Sequence, residues 1–152
     1  MTSRSLRVRV PLTLALAALA LALFAQQALA RYVYTGNYED STMSVIDTAT
    51  NQIVGSPIPT GSGPDSIAIT PDGKTLYVTS GDGDITVVNT STNQIVTTIT
   101  GLPPLETIAI SPDGKTAYVS SPPEDEVVVI DLQANQAVGS ISVGNNPIGV
   151  AF

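Results

Sequence analysis

The chain has 152 residues, 43% of them hydrophobic, and a formal net charge of −7; it contains no cysteine, histidine or tryptophan. Without cysteine there are no disulfides, thiolate nucleophiles, thiolate metal sites or covalent haem attachment. Without histidine the commonest general base and the commonest transition-metal ligand are also missing.

The first thirty residues read as a targeting segment. Arg4, Arg7 and Arg9 form a basic start, and an uncharged apolar run follows from Val10 to Ala25. That run has 16 residues, short of the roughly 20 that cross a bilayer. Ala28-Leu29-Ala30 supplies small residues where a signal peptidase reads. These features predict a secretory signal over 1–30 and an exported chain from Arg31 onward, periplasmic, secreted or at the cell surface, with no membrane span after cleavage. Beyond the signal only Arg31, Lys74 and Lys115 face all 13 carboxylates, and three minus thirteen gives −10. Such a balance opposes binding to nucleic acid or anionic lipid.

From residue 31 the chain repeats itself. TPDGKTLYVTSGDGDITVVNTSTNQIV, from Thr70 to Val96, returns as SPDGKTAYVSSPPEDEVVVIDLQANQAV from Ser111 to Val138. The same frame, without its front part, is present from Tyr32 to Val54. Asp47, Asn89 and Asp131 are 42 apart, as are Asn51, Asn93 and Asn135, and the Pro71 and Pro112 turns are 41 apart. Repeats of this period point to propellers or solenoids. In the middle unit, strand A is predicted over 65–70, B over 74–80, C over 85–89 and D over 94–100. Pro71-Asp72-Gly73-Lys74 closes A to B, because proline presets φ and glycine takes a positive one. Several strands, such as Val127 to Ile130, are apolar on successive residues, which predicts cover on both faces. Four-stranded antiparallel sheets stacked about an axis give that cover, so the fold class is all-β, with β-propeller blades of about 42 residues.

The LYVTS/AYVSS, SVIDTATNQIV and SPDGKT phrases resemble the YVTN family of β-propeller repeat proteins across Tyr32 to Phe152. The resemblance implies blades of four strands in a secreted, periplasmic or cell-surface protein. The strand content is B-C-D, A-B-C-D, A-B-C-D and a last A over Pro147–Phe152 (PIGVAF), which is three blades' worth. Propellers typically have 4 to 8 blades. Two readings follow: a homodimer in which one copy's last strand completes the other's first blade, giving a six-bladed ring, or a partial propeller belonging to a longer one.

In a propeller the A–B and C–D turns share one face, and the B–C and D–A loops share the other. The A–B and C–D turns repeat almost unchanged, as backbone geometry alone requires. Asp47, Asn89 and Asp131 are expected to cap the C–D turns by side-chain bonds to the backbone. Tyr32, Tyr77 and Tyr118 read as the repeating core position of strand B, leaving Tyr34 and Tyr38 as candidates to stack a ligand. The B–C turns vary, and variable loops on a rigid frame are where binding usually lives. They carry the candidate partner-facing residues Glu39, Asp40, Asp82, Asp84, Glu124, Asp125 and Glu126. Such oxygens could hold Ca²⁺, although Gly81-Asp82-Gly83-Asp84 lacks the length and closing glutamate of an EF-hand. No catalytic residue is assigned: serines have no histidine base, and the loop carboxylates lack the apolar pocket that glycoside cleavage needs. The expected function is a non-catalytic binding or interaction scaffold for a protein or small molecule. The alternative is an enzyme or enzyme subunit of the lactonase-like, metal-dependent hydrolase type.

Overall fold

The computed structural model describes residues 31–152; the expected signal, 1–30, lies outside the described residues. The first sheet holds β1 (Tyr32–Asn37), β2 (Thr42–Asp47), β3 (Gln52–Ile53) and β4 (Ile58–Pro59), with β3 and β4 both paired to β2. The second runs β5 (Pro64–Ile69), β6 (Thr75–Ser80), β7 (Ile85–Asn89) and β8 (Gln94–Ile99) in simple order. The third repeats it with β9 (Ile108–Ile110), β10 (Thr116–Ser121), β11 (Glu126–Asp131) and β12 (Gln136–Ser142). All pairings are antiparallel. These are three β-propeller blades, and the chain is all-β as its repeats predict.

The departures from the predicted strands have local causes. Strand D of the first blade is cut in two by Gly55-Ser56-Pro57, where Gly55 takes φ 71° and proline has no N–H to donate. Pro147–Phe152, expected as a last strand A, forms no strand. Among the described residues it has no strand B beside it to supply the hydrogen-bond ladder.

The blades pack through alternate residues of B and C. In the first interface Met43, Val45 and Ile58 of the first blade meet Leu76, Val78 and Val88 of the second. In the next, Tyr77, Ile85, Val87 and Ile99 of the second blade meet Ala117, Val119, Val128 and Ile130 of the third. Both faces of the middle sheet are therefore covered, which is why β7 is apolar on successive residues.

A tyrosine fastens each interface. Tyr34 Oη donates to Asn93 Oδ1 at 3.3 Å, and Tyr77 Oη donates to Asn135 Oδ1 at 3.0 Å and to the Leu132 carbonyl at 3.4 Å. Each asparagine sits in the C–D turn of the following blade with a left-handed φ of 55° or 51°. This pairing corrects the tyrosine alignment. Tyr34 lies opposite Val45 as Tyr77 lies opposite Val87 and Tyr118 opposite Val129. Tyr34, not Tyr32, is therefore the repeating residue, and its hydroxyl is spent on the neighbouring blade rather than on a ligand.

Candidate functional site

The hydrogen bonds sort the turns onto two faces. On one, the A–B and C–D turns join: Thr90 Oγ1 donates to the Gly73 carbonyl at 2.6 Å, and Leu132 N donates to the Lys115 carbonyl at 2.9 Å. The union recurs in the second and third blades, where Thr90 N donates to the Lys74 carbonyl at 3.0 Å as Leu132 N does to that of Lys115. Asp47, Asn89 and Asp131 each accept two backbone N–H bonds within their own turn, as expected from their spacing. Asp72 accepts from the Thr70 hydroxyl at 2.7 Å and from Lys74 N at 3.1 Å, and Asp113 repeats this with Ser111 and Lys115. The hydroxyl bond, then the amide bond, holds each of these carboxyls below the ordinary aspartate range.

On the other face the B–C turns meet the D–A loops, and no two unions are alike. Glu39 and Asp40 lie exposed in the β1–β2 turn, where the Tyr38 ring covers Gly63 of the next loop. In the β6–β7 turn, Asp82 Oδ2 accepts from Ser62 N at 2.8 Å. Gly83 of that turn has φ 89°, and a Cβ there would overlap the Leu102 carbonyl oxygen. Here glycine is required twice, by conformation and by close approach. Asp84 lies beside Asp82; burial first, and the Asp82 charge second, push its carboxyl upward. In the third blade a short 3₁₀ turn, Pro122–Glu124, replaces the glycines. Asp125 follows it with φ 52° and accepts from Asn146 N at 2.8 Å, while Glu126 begins β11.

The seven carboxylates therefore share a face but do not converge. Asp82 and Asp125 tie down neighbouring loops, and among the described residues no three acidic side chains come together as a metal-ligand group. Two others, not expected as site residues, do meet. Asp65 and Glu106 occupy the same repeat position, 41 residues apart, at the approach to strand A. They flank a groove of about 290 Å³ lined also by Pro104, Leu105, Pro122 and Pro123. Burial, then the Glu106 charge, raises the Asp65 carboxyl above its usual range. Aligning PDSIAI with LETIAI exposes the pair, because strands A of successive blades, β5 and β9, lie side by side. Chemically the face offers carboxylate and backbone acceptors on loops of different shape, held by a repeating frame.

No known family description matches the chain, and no curated protein matches it. Among solved structures it is similar to the hydrazine synthase of Kuenenia stuttgartiensis, with 29% identity and a TM-score of 0.71. The likeness covers 76% of this chain and 33% of that one, so the chain spans about a third of the length of the structure it matches.

Proposed function

We propose that this chain is an exported, non-catalytic propeller of the YVTN repeat type that serves as a binding scaffold. One observation carries the reading: a single chain builds one face from turns of nearly constant design and the other from a different turn in every blade. Constant turns are what backbone geometry needs; the differing ones are free to be shaped by a partner. Asp82 and Asp125 then act as loop ties, while Glu39, Asp40 and Glu124, which are exposed, are the groups presented. The partner we assign to the outer blade faces is a second copy of this chain, closing a six-bladed ring. The similar solved protein is named as an enzyme, but nothing in this chain supplies a histidine or cysteine for catalysis.

The scaffold reading is tested by capture from an envelope extract with the native chain and with a Glu39→Gln, Asp40→Asn, Glu124→Gln variant. A partner held by the native chain and lost by the variant supports it; equal capture by both overturns the assignment of that face. A lactonase-like hydrolase would instead retain a divalent ion through dialysis and lose ester or lactone hydrolysis to a chelator. Export is tested separately by the N-terminal sequence of the chain recovered outside the cytoplasm, expected to start at Arg31.

A further inference from the structure

We infer that the outer faces of the first and third blades are the two halves of one more blade interface, joined between copies with the Tyr118 hydroxyl donated to Asn51 Oδ1 of the second copy and residues 150–152 paired along its β1. This deepens the two-copy reading above by naming its contact.

The chain supplies the calibration itself, because the same interface occurs twice within it. Leu76, Val78 and Val88, and their equivalents Ala117, Val119 and Ile130, are all 0% exposed. In the first blade the residues equivalent to Leu76 and Val88 are Val33, at 50%, and Ile46, only half-buried. The opposite side behaves likewise: Ile99 is 7% exposed against the third blade, but its equivalent Ile141 is 49% exposed. A groove of about 280 Å³ lies there, lined by Tyr118, Val127, Ile141, Val143 and Phe152 among others. Asn51 already holds φ 55°, the conformation with which Asn93 and Asn135 receive a tyrosine. Among the described residues Tyr118 has no such acceptor.

The strands are complementary too. The first sheet holds B, C and D, with β1 at its edge. Residues 147–152 already lie where an A strand would begin: Ser120 Oγ donates to the Ile148 carbonyl at 2.8 Å, as Thr79 Oγ1 donates to the Glu106 carbonyl at 2.6 Å. Phe152 packs edge-on against Tyr118 at 5.6 Å. Carrying over the β5–β6 and β9–β10 registers sets Val150, Ala151 and Phe152 opposite Thr35, Tyr34 and Val33 of the second copy. An uncovered β edge is a template for such pairing. A contact between unlike faces closes only if the rotation returns to its start, and six is the one multiple of three in the usual range of 4 to 8 blades.

The test uses the exported chain and its lack of native thiols. Light scattering across a dilution series should give twice the mass of one chain. Val33→Cys and Phe152→Cys chains, mixed and mildly oxidised, should give a covalent dimer as the main product. The control pair, Ala49→Cys with Phe152→Cys, should leave single chains. A single-chain mass at every concentration overturns both the two-copy reading and its contact. A mass that keeps rising past two copies overturns the closed ring. A dimer whose cysteines cross-link no better at Val33 than at Ala49 overturns the contact and leaves the two-copy reading standing.

Discussion

Replacing Tyr77 with phenylalanine isolates the bond that fastens one blade to the next. The ring is 2% exposed, and its hydroxyl reaches Asn135 Oδ1 at 3.0 Å and the Leu132 carbonyl at 3.4 Å. A typical intramolecular hydrogen bond is worth about 0.5–1.5 kcal/mol net, and stranding a buried acceptor adds to the loss. Tyr77→Phe should therefore cost about 1–2 kcal/mol, which lowers the Tm by roughly 3–8 °C for a domain of this size. Asn135→Gly removes the acceptor while keeping the left-handed φ of 51°. The double-mutant cycle built from the two, measured by urea unfolding, should return a coupling of about 1 kcal/mol. Tyr38→Phe is the control, since Tyr38 is 61% exposed and fastens no blade. A Tyr77→Phe chain as stable as that control, or a coupling indistinguishable from zero, would refute the reasoning.

Gly83→Ala should cost about 3 kcal/mol or more, because its φ of 89° is unfavourable for a side chain and the added methyl would strike the Leu102 backbone; thermal unfolding followed by far-UV circular dichroism measures it. Ile85→Ala, at a side chain that is 0% exposed, should lose about 2–5 kcal/mol, whereas Val138→Ala, at 59% exposure, should stay within about 0.5 kcal/mol in the same urea titration. Two substitutions separate the carboxylates by the sign of their pH dependence. Asp65 has a raised native pKa, so its contribution to stability falls as pH rises from the unfolded value through the native one; Asp65→Asn should be the more stable chain at neutral pH and lose that advantage in acid. Asp113 has a lowered native pKa, so its contribution is present above the unfolded value and is lost as pH falls through the native one; Asp113→Asn should flatten the acid limb of a urea-midpoint profile.

The blades were legible because each unit restates the same phrase with its own turn signals. The Asx turns at Asp47, Asn89 and Asp131 could be read for the same reason: short polar side chains at one fixed spacing have one geometric use. The tyrosine register was harder. Tyr32 and Tyr34 lie two residues apart on a strand and so share a face, and only the cross-strand partner Val45 decides between them. The candidate site shows the limit of sequence reading. Repeat phasing puts seven carboxylates on one side of the sheets, but not their separations. Whether a loop carboxylate turns outward, like Glu39, or back to a neighbouring amide, like Asp82, depends on where the next blade's loop passes. Asp65 and Glu106 were missed because they sit where the chain enters strand A, Asp65 within β5 and Glu106 two residues before β9, rather than in a B–C turn; their meeting follows from strands A of successive blades standing side by side.

The repeated interface also sets the energetics of the whole. In repeat proteins stability is close to a sum of each unit's own stability and its contacts with nearest neighbours. Three blades in a row have two interfaces, formed by the Tyr34 and Tyr77 faces. In the two-copy ring we propose, every blade has two neighbours, so the interfaces per chain rise from two to three without any new kind of contact. The gain falls on the first and third blades, whose outer side chains include the exposed large hydrophobics Val33, Ile141, Ile148 and Phe152. Burying a side chain of this size completely is worth about 1.5–3 kcal/mol, and half-exposed ones recover part of that. Several together could offset much of the cost of association, which is at least about 4 kcal/mol. The variable loops stand at the rim of the sheets, clear of the faces that would meet, so closing the ring and presenting a binding face make separate demands on the sequence. That separation lets the turns of one face stay fixed while the loops of the other diverge.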